Sequence, residues 1–281
     1  MQIQHIRNAT ALLSIGEHRL LVDPMLSEQS AMPGFKLFGG GRRRNPLVPL
    51  PPEAAAALDS ATAVVITHEH PDHFDRPALQ WIKERGLPVW ANGVDAPNLR
   101  RKGLKARLLE DGALGMRFEV IRSRHGRGLL GWLMGPVAGY YFAHPDEPSL
   151  YVTGDTIMTP SVIDAVTRLR PDVILAPAGS ANMGLGGNIL FSVDQLVELT
   201  RLAPGHMVFN HLEALDHCPT TRAQLRERME AEGLIDRVHI PADGESLSFH
   251  ERDVSTHVSP GPAANERPGM QKWITARFAG T

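Results

Sequence analysis

The chain is predicted to be an α/β protein in which two packed β-sheets carry helices on their outer faces. Three observations predict it. The first half is dominated by short apolar stretches of strand length. From residue 160 onward, helix-length and strand-length segments alternate without interruption. The 281 residues, 42% hydrophobic and 21% charged, are ordinary for a globular protein and suffice for a large core.

Taken in order, residues 3–6, 11–15 and 20–22 read as strands, with Gly16-Glu17 turning between the last two and Asp23-Pro24 ending the hairpin. Residues 25–52 form a long connection containing Gly39-Gly40-Gly41, Arg42-Arg43-Arg44 and Pro51-Pro52. A loop of that length in a compact domain serves as a lid or binding loop rather than a plain connector. Its triple glycine lacks the lysine and hydroxyl residue of a phosphate-binding loop. Its arginines read first as a solvated charge run and second as a clamp for an anion.

Residues 63–67, AVVIT, are a continuous apolar run and predict a strand buried on both faces. A helix follows, capped by Asp75 with Pro77 in its first turn. Strands are expected at 89–90, 106–109, 116–123 and 149–153, with a short helix over 95–102. The apolar stretch 128–143, broken by four glycines and Pro136, reads as a loop and core-facing hairpin and is too short for a membrane span. Helices over 160–169, 192–202 and 220–231 precede strands at 173–176, 207–210 and near 238 and 247. One domain over 1–251 is expected, followed by a loosely held tail, 252–281, in which Trp273, Ile274 and Phe278 are docking candidates.

A formal net charge of −2 supplies no global attraction to nucleic acid or to anionic membranes. The single cysteine, Cys218, excludes an internal disulfide framework. With no signal-like start, this points to a reducing, cytoplasmic setting of bacterial type. The expected partner is a small molecule, with no nucleic acid and no stable membrane insertion; composition leaves the oligomeric state open.

Residues 67–75 read Thr67-His68-Glu69-His70-Pro71-Asp72-His73-Phe74-Asp75. With 13 His and 15 Asp in the chain, the order HxHxDH would arise by chance in about one of several hundred such sequences. Where a strand runs out, residues two apart point the same way, so His68 and His70 can grip one ion. The turn at Pro71 lets Asp72 and His73 face a second ion. Imidazole and carboxylate suit zinc, and also manganese or iron. Four donors do not close two sites, and three more polar residues stand at predicted strand ends: His125, Asp155 and His211.

On this ordered set the chain resembles the metallo-β-lactamase fold hydrolases. The resemblance implies a four-layer αββα sandwich and a binuclear centre, most often zinc. In that family His68, His70 and His125 would hold one ion, Asp72, His73 and His211 the other, and Asp155 would bridge them. The opening hairpin and the later ligand spacing are most similar to the branch of ascorbate-6-phosphate lactonase and N-acyl phosphatidylethanolamine phospholipase D. The true β-lactamases often carry cysteine where Asp155 stands, and the oxygen-reducing diiron relatives tend to carry glutamate where His70 stands, so neither is the expected activity.

The expected chemistry is hydrolysis of an ester, lactone or phosphodiester by a hydroxide shared between two ions about 3.5–4 Å apart, with Asp72 as the catalytic residue that orients it. Two dications, two carboxylates and a hydroxide sum to about +1, which favours a substrate that is or becomes anionic. Alternatives on the same scaffold are a nucleic-acid phosphodiesterase or nuclease and an iron-dependent oxidoreductase. Candidate substrate contacts are Arg127, Asn210, Glu213 and His217, and Asp23 is placed to hold a ligand histidine from behind. Cys218 reads as a packed thiol, and His144, His206 and His239 as ordinary strand or turn residues.

Overall fold

Alternate residues of the central strands feed different apolar layers, and that alternation sets the architecture. The computed structural model describes residues 1–184 and 187–250 of the chain. Strands β1 (Gln2–Arg7), β2 (Thr10–Ile15), β3 (His18–Val22), β4 (Ala63–Ile66), β5 (Pro88–Ala91) and β6 (Lys105–Leu108) lie side by side in that order, with the late strand β13 (Ser246–Ser248) outside β1. The second sheet runs β7 (Arg117–Arg124), β8 (Pro136–Ala143), β9 (Leu150–Val152), β10 (Val173–Pro177), β11 (His206–Asn210) and β12 (Val238–His239).

In β4, Ala63 and Val65 face the second sheet while Val64 and Ile66 face outward. In β10, Val173 and Leu175 face inward while Ile174 and Ala176 face outward. The inner layer joins Leu20 and Val65 of one sheet to Tyr140, Val152 and Leu175 of the other. Each such fully buried aliphatic side chain contributes about 1.5–3 kcal/mol. The outer face of the first sheet is covered by α1 (Ala54–Ser60), α2 (Arg76–Arg85) and α3 (Ala96–Arg101). That of the second sheet is covered by α5 (Pro160–Leu169), α6 (Val193–Leu202) and α7 (Arg222–Ala231). The result is the expected αββα sandwich.

Local signals act as expected at the helix ends. The Asp75 carboxylate accepts the Ala78 amide at 2.9 Å and caps α2, while Ser192 with Gln195 and Thr221 with Gln224 form capping boxes on α6 and α7. Among the described residues, no helix is long and apolar enough to cross a membrane.

One expectation needs correction, and one helix was not expected. Residues 128–143 are not a loop and hairpin: they form the short helix α4 (Gly128–Leu133) and the full strand β8, which pairs with both β7 and β9. Val137, Ala138, Tyr140, Tyr141 and Phe142 are all buried, so this is a strand covered on both faces, whereas Trp132 and Leu133 at the end of α4 are exposed. Helix α1 falls in a stretch for which no element was expected.

The long connection 25–52 is a clamped wall rather than a free lid. Asp216 accepts the amides of Phe35 and Arg43 and the Asn45 side chain. From below, the fully buried Arg7 donates to the carbonyls of Met25, Ser27 and Val48. The tail over 252–281, with Trp273, Ile274 and Phe278, lies outside the described residues.

Candidate metal centre

Five strand ends converge on one spot. Asp23 follows β3, His68 to His73 follow β4, His125 follows β7, Asp155 follows β9 and His211 follows β11. Within each sheet these strands run the same way, so their carboxyl ends share a rim, which is where α/β sheets collect polar groups. The side chains fall into two groups. His68, His70 and His125 bring one donor atom each within 4.8 Å of one another, and Asp72, His73, Asp155 and His211 do the same.

Asp155 stands between the groups. Its Oδ2 lies 3.1 Å from His73 Nε2, 3.6 Å from His211 Nε2 and 3.7 Å from His125 Nε2. Asp72 Oδ2 lies 3.4 Å from His211 Nε2, and the Nε2 atoms of His68 and His125 are 3.4 Å apart. All but the half-buried His70 are buried.

The outward nitrogens explain the inward ones. His68 Nδ1 donates to Thr67 Oγ1 at 2.9 Å, and that hydroxyl donates to Asp23 Oδ2 at 2.6 Å. The same Asp23 oxygen accepts His73 Nδ1 at 2.9 Å. One carboxylate therefore anchors two motif histidines, as the sequence suggested for Asp23. His70 Nε2 donates to the Met134 carbonyl at 2.9 Å, which leaves Nδ1 for the cluster. His211 Nδ1 lies 3.4 Å from Cys218 Sγ. In each of these cases one ring nitrogen is tied to the protein and the other is aimed at the centre.

The residues fit divalent cations. The Nε2 atoms of His73 and His211 are buried and face carboxylate oxygens at 3.1 to 3.6 Å without a well-aligned hydrogen bond, an arrangement that a cation shared between imidazole and carboxylate would satisfy. Charge says the same. Burial works against protonation of His73, yet Asp155, Asp23 and Asp72 outweigh it and raise its pKa to about 10. Burial likewise opposes protonation of His211, but Asp155 holds it well above the usual range. Although burial opposes their ionisation, the same histidines hold the Asp72 and Asp155 carboxyls well below theirs. Protons thus sit where cations of higher charge would bind. In the other group, burial lowers His125 to about 4 and His68 well below its usual value, leaving neutral imidazoles with free lone pairs.

The proposed substrate contacts separate. His217 is buried, packs edge-on against Phe35 at 5.5 Å and lies 6.4 Å from the His211 ring, with its Nδ1 unpartnered. Arg127 is exposed two residues past His125. Glu213 faces away, since both its oxygens are engaged by Arg222 at the start of α7. Asn210 is buried with its amide turned 3.5 Å from the Ala9 carbonyl, toward the β1–β2 turn. For these two, short polar side chains next to His211, tertiary ion pairing and turn contacts claim the groups.

Sequence reasoning missed four contributors. Thr67 and Cys218 hold histidines of the cluster, as does the Met134 carbonyl. Asn8, at φ 60°, donates its side chain to the Asp72 carbonyl at 2.9 Å and accepts the His211 amide at 2.8 Å, tying the two ends of the motif set together. The hydroxyl directly before the first histidine was the one readable signal among them.

Comparison with known proteins agrees with this geometry. The family described as "Beta-lactamase superfamily domain" matches residues 18–212. The chain is 32% identical over 255 residues to UPF0173 protein YddR of Bacillus subtilis, covering 89% of this chain and all of that protein. Among solved structures it is similar to isothiocyanate hydrolase from Delia radicum gut bacteria, at 32% identity and a TM-score of 0.82 over 89% of this chain and 99% of the other. It is also similar to "a possible metal-dependent hydrolase" of Veillonella parvula, at 30% identity, the same TM-score and the same coverage. The four-layer architecture, the histidine and aspartate cluster and these likenesses together show that the chain belongs to the beta-lactamase superfamily, within its UPF0173 metal-dependent hydrolase family.

Proposed function

We propose that the chain is a binuclear metal-dependent hydrolase that attacks an electrophilic carbon or phosphorus of a small molecule. The observation that carries this reading is the position of Asp155 Oδ2, within 3.7 Å of histidines from both donor groups. In this reading His68, His70 and His125 hold one cation, Asp72, His73 and His211 a second, and Asp155 both; zinc is the first choice, with manganese or iron alternatives. When bound, such a pair supplies water of lowered pKa and positive charge beside the reacting atom.

The residues do the rest. Asp72, ionised and 3.4 Å from His211, orients the attacking water. Asp23 and Thr67 fix the motif histidines so that the site does not reorganise during the reaction. His217, packed against Phe35 and carrying a buried unpartnered Nδ1, lines the path of the substrate, and Arg127 stands at its exposed edge.

The similarity to an isothiocyanate hydrolase makes isothiocyanates the first class to assay. There, one water adds to the central carbon, the carbon–nitrogen bond breaks, and R–N=C=S plus H2O gives R–NH2 plus O=C=S. Both hydrogens of the water end on the amine nitrogen. Lactones and carboxylic esters come next, as the branch resemblance to lactonases and phospholipase D suggests, and phosphodiesters after them. The reading also includes a cytoplasmic site of action, on the strength of the single cysteine. It further includes a small-molecule partner rather than nucleic acid or a membrane.

The test is a panel of isothiocyanates, lactones, esters and phosphodiesters on metal-loaded protein, with chelation and metal re-addition. We expect turnover of one class, lost on chelation and restored by metal. Turnover that survives complete chelation would overturn the reading.

A further inference from the structure

Among the described residues, seven large apolar side chains stand exposed, and four of them lie on two segments that border the metal centre. Trp132 and Leu133, 74% and 65% exposed, directly precede Met134, whose carbonyl accepts the His70 ring. Leu37 and Phe38, 57% and 54% exposed, donate their amides to the Met183 carbonyl at 3.2 and 3.0 Å. Met134, Met183 and Phe35 pack together with Cys218 in one apolar cluster. Phe35 touches His217, and Cys218 touches His211. An apolar wall thus leads from the metal centre outward to an exposed apolar lip.

Single exposed apolar residues such as Val94 or Val120 are normal. Here two exposed pairs stand on segments joined, through Met134 and Met183, to one apolar cluster beside the metal centre, and grouped exposed apolar side chains mark binding sites. Two arginines of the loop that carries Leu37 and Phe38 are engaged by its own backbone. Arg42 Nε donates to the Gly34 carbonyl at 2.9 Å, and Arg44 donates to the carbonyls of Ser30 and Ala31 at 2.7 and 2.9 Å. These arginines fold back on their own loop and leave the apolar side chains facing solvent.

We infer that the lip formed by Leu37, Phe38, Trp132 and Leu133 takes an alkyl or aryl substituent of the substrate and so sets which electrophiles are accepted. The substrate class is then an uncharged electrophile with an apolar tail, whose negative charge appears only in the transition state. The inference rests on the hydrolase reading above and deepens it by naming that class.

The test uses n-alkyl hydroxamic acids, from acetohydroxamic to octanohydroxamic acid, titrated calorimetrically into the metal-loaded full chain. The head group seeks the metal centre and the tail probes the lip. Affinity should rise by up to about fourfold per methylene once the tail reaches the lip. In Phe38→Ser/Trp132→Ser the difference from wild type should grow with tail length, while Val120→Ser, at an exposed position midway along β7, keeps the wild-type slope. Firm binding of acetohydroxamic acid with no chain-length slope, or an unchanged slope in the double variant, would overturn the inference alone. An unchanged slope together with self-association that the double variant abolishes would instead assign the lip to a second copy of the chain. Failure of acetohydroxamic acid to bind would sink the metal-centre reading and this inference with it. A clear slope without turnover of any isothiocyanate or ester would leave the lip standing and refute the reaction class.

Discussion

The two donor groups of the metal centre are built from similar parts but differ in charge. His68, His70 and His125 form a carboxylate-free group in which burial keeps His68 and His125 neutral. Asp72, His73, Asp155 and His211 place two carboxylates beside two imidazoles, and those imidazoles are driven toward protonation. The first group is thus ready to coordinate without giving up protons, whereas the second must exchange protons for a cation. The difference teaches that the motif HxHxDH is two half-sites of opposite character, separated by the turn at Pro71.

Substituting the shared residue has the largest expected effect. Asp155→Ala should abolish turnover and lower metal content at both groups, because its Oδ2 lies within 3.7 Å of histidines of both. Asp72→Ala comes next and should lower kcat by about 10²–10⁴ while elemental analysis still finds one ion per chain. Loss of both ions in Asp72→Ala would erase the distinction between the groups.

The supporting contacts sharpen the comparison further. Asp23 anchors His73 directly and His68 through Thr67, so Asp23→Asn should weaken both sites, each by about 10–100-fold. Cys218→Ala should weaken only the second, through His211, within the same range, and Cys218→Ser should recover part of the loss. Competition with a chromogenic chelator separates the two affinities. Equal weakening of both sites by Cys218→Ala would count against the assignment.

The smallest effect is one of protons. In the metal-free protein His73 and His211 carry protons at neutral pH, because their pKa values are raised. His68 and His125 do not, because theirs are lowered. Protons compete with the cation only where they are bound, so affinity should climb more steeply at the second group than at the first as pH rises from 6 to 8. Calorimetry in buffers of different ionisation enthalpy checks this, with more protons released at the second group than at the first.

Much of this was legible in the sequence because it depends on short-range rules. The continuous apolar run before the motif predicts the buried strand β4, and period-2 alternation places histidines 68 and 70 on one side of its end. His125, Asp155 and His211 were readable because each follows a strand. Other contributors depend on contacts distant in the chain. Asn8, Asp23 and His211 adopt positive φ without being glycine, conformations that local propensity disfavours and only the assembled sandwich imposes. The Met134 carbonyl holds His70 by its backbone, which no side-chain pattern records, and Cys218 reaches His211 only because the segment between them doubles back. Helix α4 and strand β8 were misread because the glycines of 128–143 read as loop signals. In the fold, Gly139 sits in mid-strand, where a Cβ would come within 2.7 Å of the Thr153 carbonyl oxygen.

The central claim is that seven side chains from four strand ends, His68 to His73 after β4, His125 after β7, Asp155 after β9 and His211 after β11, hold two cations. Elemental analysis of zinc-equilibrated, desalted protein tests it most directly, paired with the same measurement on Asp72→Ala. Two zinc ions per wild-type chain and one per variant chain is the predicted result; one or none in the wild type would contradict the account.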